Sequence, residues 1–106
     1  MKKYKITRTD LADSQLRESI LYIAEVYGPD TALAKLDEIE KQIMLLSEFP
    51  EMGVIPKYSV LRKQGFRVLM LEKNMVFYKT NEKQKQIILY AIVSYKQDYL
   101  NIVKGL

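Results

Sequence analysis

The apolar residues of this chain recur at two different periods, and that change limits the fold more than any other feature. Between Leu11 and Glu48 they fall at spacings of three and four; from Phe66 to Val93 they follow a period of two. The first spacing lines one stripe of a helix, and the second sends side chains to alternate faces of a strand. Helices followed by a run of strands place the chain in the α+β class. Its 106 residues suffice for one domain with one main core.

Taken in order, Tyr4 and Ile6 alternate with lysines and Arg8, as in a short half-buried strand. Thr9 or Asp10 then caps a helix whose stripe is Ala12, Leu16, Ile20, Ile23 and Tyr27. Gly28-Pro29 stops it, and a second helix runs from Asp30 or Thr31 to about Glu48. Its stripe is Leu33, Leu36, Ile39, Ile43 and Leu46, widened by Met44 and Leu45. The short break predicts an antiparallel hairpin. Phe49-Pro50-Glu51-Met52-Gly53 turns the chain, and Tyr58 to Leu61 reads as a short strand or its approach. Phe66–Leu71, Met75–Lys79 and Ile87–Val93 are strands joined at Glu72-Lys73-Asn74 and at the polar segment Thr80–Gln86. The last run is apolar on both faces, the pattern of a central strand covered on both sides. Ser94–Lys104 reads as an ambiguous tail with a short amphipathic helix among its options. The expected architecture is β-αα-βββ, a helical hairpin on a mostly antiparallel sheet.

Composition removes several chemistries. The chain has no Cys and no His. That excludes disulfides, thiolate nucleophiles, the usual general base near neutral pH and the commonest metal ligands. No cofactor and no metal are expected, and any catalysis falls to Lys, Arg, Tyr or carboxylates. No apolar run approaches the roughly 18–20 residues of a membrane span, and the residues after the basic start are polar. A cytoplasmic protein without membrane contact is the expectation.

Charge is unevenly divided. Residues 1–54 carry seven Lys/Arg against ten Asp/Glu, net −3, and residues 55–106 carry ten against three, net +7. Such a split suits an anionic partner, nucleic acid or an acidic protein segment, although a solvated lysine surface has the same composition. The carboxylates of the helices read as solvent-facing, with pairs such as Asp37–Lys41. The glycines are isolated, so there is no phosphate-binding glycine loop. The candidate binding set is Lys57, Arg62, Lys63, Arg67, Lys79 and Tyr95. Arg67 shares a strand face with Leu69 and Leu71, so its charge sits at a sheet edge, reaches to solvent or is aimed at a partner. Tyr78 and Tyr90 read as core; Tyr95 and Tyr99, after the last apolar strand, read as surface.

The assembled pattern resembles the RelE/ParE superfamily of bacterial toxins from type II toxin–antitoxin systems. The resemblance is carried by Tyr4-Lys5-Ile6-Thr7, the helical hairpin, Phe49-Pro50-Glu51-Met52-Gly53 and Gly65-Phe66-Arg67-Val68-Leu69. It continues through Met75-Val76-Phe77-Tyr78-Lys79 and Ile87-Ile88-Leu89-Tyr90-Ala91-Ile92, and closes on Lys96-Gln97-Asp98-Tyr99. It implies a toxin neutralised by a cognate antitoxin with a flexible, often acidic segment. It also implies one of two targets: DNA gyrase, as in ParE-like members, or messenger RNA in the ribosome, cleaved without metal, as in RelE-like members. Met75 and Gln97 stand where RNA-cleaving members often carry Arg. In a nuclease the candidates to substitute are Arg62, Arg67, Lys96 and Tyr99; Phe49–Gly53 and Phe77-Tyr78-Lys79 look more ParE-like. A degenerate, non-catalytic antitoxin-binding module is the third reading. For self-association, Met44 and Leu45 are the exposed candidates on the hairpin.

Overall fold

A computed structural model describes residues 3–95. Strand β1 is Lys5–Arg8, helix α1 Asp10–Tyr27 and helix α2 Pro29–Met44, followed by a 3-10 turn at Leu45–Ser47. Helix α3 is Ser59–Lys63, and strands β2, β3 and β4 are Arg67–Met70, Asn74–Asn81 and Gln86–Ser94. The expected β-αα-βββ order holds, with one short helix added.

Thr9 caps α1: its hydroxyl oxygen accepts from the Ala12 amide at 3.1 Å. Ala12 and Leu16 are buried and Ile20 packs beside them, whereas Tyr27 is 66 % exposed. Gly28, at φ +98°, is the entire break between the helices, shorter than the sequence suggested. Pro29 is already helical, because its fixed φ and missing N–H suit the first turn. On α2 the buried row is Ala32, Ile39 and Ile43 with Leu36 beside it. Leu33, about 100° further round the helix than Ala32, points outward. The helix also ends before Glu48, because the chain tightens so that the Glu48 and Phe49 amides both donate to the Leu45 carbonyl. Leu46 is thereby buried, while Met44 and Leu45 are exposed rather than part of the core.

The sheet order is β1-β4-β3-β2. β1 runs parallel to β4, and the β4–β3 and β3–β2 pairs are antiparallel. The hairpin covers one face over a core that includes Tyr4, Leu16, Ile39, Leu46, Val76 and Leu89. Alternate residues form a second cluster on the other face, built from Leu61, Phe66, Val68, Met75, Phe77 and Val93. β4 is therefore covered on both sides. The segment expected to approach as a strand at Tyr58–Leu61 is helical instead. The Leu61 and Arg62 amides donate to the Tyr58 carbonyl at 3.1 and 3.2 Å, which delivers Leu61 into the second cluster.

One irregularity shapes that outer face. Phe77 pairs with Ala91 but Tyr78 pairs with Leu89, so Tyr90 is an extra residue in β4, a β-bulge. Tyr90 and Ala91 consequently both join the second cluster, and Ile92 returns to the first. Helix α1 satisfies the ladder groups that the bulge releases. Thr9 Oγ1 donates to the Tyr90 carbonyl at 3.2 Å, and the Ile92 amide donates to Gln15 Oε1 at 2.8 Å.

Candidate interaction surface of the sheet

A buried side chain of β3 organises the turn at Phe49–Gly53. Tyr78 is fully buried; its phenol donates to the Pro50 carbonyl at 2.7 Å and accepts from the Gly53 amide at 2.9 Å. Burial pushes this phenol above its ordinary pKa, partly offset by the Gly53 N–H. Arg67, opposite Tyr78 in the β2–β3 register, donates to the Gly53 carbonyl at 2.8 Å and the Glu51 carbonyl at 3.4 Å. The turn Phe49–Gly53 is thus held by a phenol and a guanidinium from adjacent strands.

Arg62 has a parallel role one loop later. Its guanidinium donates to the Pro56 carbonyl at 3.1 Å and also to the Lys57 carbonyl. The two arginines of the candidate set therefore each bind backbone of a neighbouring loop. Lys57 and Lys63 are exposed, and Lys57 Nζ lies 5.8 Å from the centroid of the Tyr58 ring. Lys79 sits on the outer face, its ammonium 4.6 Å from the Phe66 centroid and 5.2 Å from that of Tyr90. Those rings meet edge to face at 5.3 Å, and the bulge is what turns Tyr90 towards Phe66 and Lys79. Tyr95 is exposed, as expected, and its phenol donates to the Leu71 carbonyl at 2.5 Å. Lys96, Gln97 and Tyr99 lie outside the described residues. Met75 is packed into the second cluster.

Sequence reasoning missed two features. One is the clamp itself, since Tyr78 read as core and Gly53 only as a turn residue. The other is a groove of about 400 Å³ beside the β2 edge, lined by Val54, Ile55, Lys57, Met70, Met75 and Tyr95 among others. The signal available for it was the apolar run Val54-Ile55 placed after a turn, where solvent-facing residues are the rule. Among the described residues no cluster of three or more His, Cys, Asp or Glu could hold a metal ion. No described helix is long and apolar enough to cross a membrane.

A helical hairpin on one face of a mixed sheet, in the order β-αα-βββ, is the fold of RelE/ParE-type toxins. Two solved structures share it. One is the chromosomal ParDE toxin–antitoxin system from P. aeruginosa, with TM-score 0.72 and 19 % identity, covering 89 % of this chain and 98 % of that one. The other is the RelBE2 toxin–antitoxin complex from Mycobacterium tuberculosis, with TM-score 0.61 and 14 % identity, covering 87 % and 98 %. Among curated proteins, none matches this chain by sequence. The chain belongs to the family of ParE toxins of type II toxin–antitoxin systems, parDE, whose model matches residues 6–99.

Proposed function

We propose that this toxin inhibits growth by acting on DNA gyrase and is neutralised by a cognate antitoxin. The observation that carries the target is the employment of Arg62 and Arg67, whose guanidiniums are hydrogen-bonded to loop carbonyls. Metal-free RNA cleavage needs cations and a proton-transfer group aimed at the scissile phosphate. Here two of the four catalytic candidates support backbone, and Met75 occupies core where RNA-cleaving members often carry Arg. A toxin that acts by seating on a protein target needs only a shaped, stable surface. The ParE family match points the same way.

The test is a supercoiling assay with purified gyrase and relaxed plasmid, with and without the chain, together with induction in bacteria alone and with the adjacent gene. The expected results are inhibited supercoiling, DNA breaks with a damage response, and rescue by the neighbouring product. Normal supercoiling, together with new transcript 5′ ends on ribosome-bound messages, would establish the alternative, a ribosome-dependent mRNA endoribonuclease. The exposed lysines of the outer face, Lys57 and Lys63, are what favour that alternative.

A further inference from the structure

We propose that the cleft between α2 and the β2–β3 turn is a binding site for a free α-amino acid with a short, uncharged polar side chain. The cleft has a volume of about 250 Å³; Lys35, Glu38 and Gln42 line it from α2, and Glu72, Lys73 and Asn74 from the other side. Ile39 and Leu71 add an apolar wall. Pockets for drug-sized ligands run to about 300–1,000 Å³, so the occupant here is a smaller molecule.

Asn74 is the residue that points to a ligand. It is 6 % exposed, and alternation along β3 puts its side chain on the face of Val76 and Tyr78, under the hairpin. Its backbone carbonyl accepts from the Leu71 amide at 2.9 Å, but among the described residues its side-chain amide has no hydrogen-bond partner. No fully enclosed side-chain N or O among those residues lacks a partner, so this amide opens onto the cleft that Asn74 lines. A polar group so deep in a fold is costly without a partner. A molecule seated in the cleft supplies one.

The charges select the kind of molecule. Lys35, whose side chain is 18 % exposed, reaches Glu72 at 3.3 Å and Glu38 at 3.6 Å. Both contacts are longer than the roughly 2.7–2.9 Å of a tight charge-assisted bond, so neither carboxylate is locked to the ammonium. With Lys73, the lining carries two formal positive and two formal negative charges. An anion meets the two glutamates and a cation meets the two lysines. The ammonium seated between the carboxylates also repels a metal ion. An apolar molecule leaves the Asn74 amide unpaired.

A neutral zwitterion satisfies every group. Its carboxylate takes Lys35, its ammonium is shared by Glu38 and Glu72, and its polar side chain meets the Asn74 amide. The turn is already fixed for this. Tyr95 donates its amide to the Lys73 carbonyl at 3.2 Å and its phenol to the Leu71 carbonyl.

The experiment titrates the full chain with L-asparagine, followed by calorimetry and by backbone amide chemical shifts. Three analogues each lack one feature: succinamate the ammonium, 3-aminopropanamide the carboxylate, and L-leucine the polar side-chain group. L-Asparagine is expected to bind in the submillimolar range, to raise the thermal midpoint and to shift the amides of Gln42 and Glu72–Asn74 most. Each analogue should bind about tenfold more weakly or worse. Lys35→Met keeps the apolar stem and should weaken L-asparagine by about tenfold or more. Asn74→Leu removes the amide at similar volume, so L-asparagine and L-leucine should then bind alike. If Asn74→Leu does not fold, the analogue series on the parent chain decides. The proposal is overturned if L-asparagine does not bind at millimolar concentration, or if any one analogue binds as tightly. It is equally overturned if the shifts fall outside the cleft or if Lys35→Met binds as the parent does. The readout is binding by the isolated chain, so its failure leaves the gyrase assay unaffected, and the reverse also holds.

Discussion

The phenol oxygen of Tyr78 lies 2.9 Å from the amide nitrogen of Gly53, so close that a Cβ on Gly53 would stand 2.6 Å from that oxygen. The same Cβ would meet the Val68 carbonyl at 2.9 Å, and neither neighbour is the free end of a flexible side chain. Glycine is therefore required here by contact rather than by backbone conformation. Gly53→Ala should lower unfolding free energy by about 1–3 kcal/mol, the usual cost of overpacking. Denaturant titration measures it; an unchanged midpoint would mean that the loop is free to move away.

Alkaline pH should expose the same clamp. Tyr78 is held above its ordinary 10.0 by burial, and Tyr4 is also raised, first by its hydrogen bond to the Glu82 carboxylate. A phenol whose folded pKa is raised keeps its proton longer in the native state than in the unfolded one. Its contribution is complete below the unfolded value and is lost as pH rises through the folded one. Stability should thus fall above about pH 10. Tyr78→Phe should cost about 1–3 kcal/mol near neutral pH by leaving the Pro50 and Gly53 groups without their partner. The same change should shrink the alkaline loss, which equilibrium unfolding across pH reads directly.

Arg67 is expected to act on stability rather than on long-range attraction. Arg67→Ala removes charge-assisted bonds to the Gly53 and Glu51 carbonyls and should cost about 1–3 kcal/mol. It should also speed amide exchange in the Phe49–Gly53 turn. The salt dependence of partner binding should stay as in the parent. A flattened salt slope in Arg67→Ala would move Arg67 to the contact surface.

The bulge at Tyr90 depends on α1, and that dependence can be measured. Gln15→Leu strands the Ile92 amide, and Thr9→Val removes both the helix cap and the donor to the Tyr90 carbonyl. Each should cost about 1–2 kcal/mol. If the two side chains hold one feature, their double-mutant cycle should depart from additivity.

The periodicity change made the class, the hairpin and the three late strands legible, because each is a local pattern. Ala12, Leu16 and Ile39 were placed correctly, since each lies where its helix packs against the sheet. Leu33 and Tyr27 were not, because a stripe's margins are decided by how far the neighbouring layer reaches. Tyr58–Leu61 misled because a four-residue alternation fits one helical turn equally well; Leu61's burial and the Tyr58 carbonyl choose the turn. The arginines were legible as cations and illegible as clamps. Their acceptors are carbonyls five to sixteen residues away in sequence, brought near only by the folded loops. That β1 joins β4 in parallel was equally unreadable, since a strand of four residues carries no mark of its direction.

That parallel pairing sets an order of events during synthesis. The register Lys5–Arg8 on Gln86–Leu89 joins the first described strand to the last, so β1 has no seat until β4 has left the ribosome. Until then the apolar stripes of α1 and α2 lack the sheet that buries them. Contacts so distant in sequence close slowly, and exposed stripes of this kind invite association with whatever is nearby. The helical hairpin by itself is accordingly sticky, and the four-stranded sheet with its two covered faces exists only once β4 has joined β1.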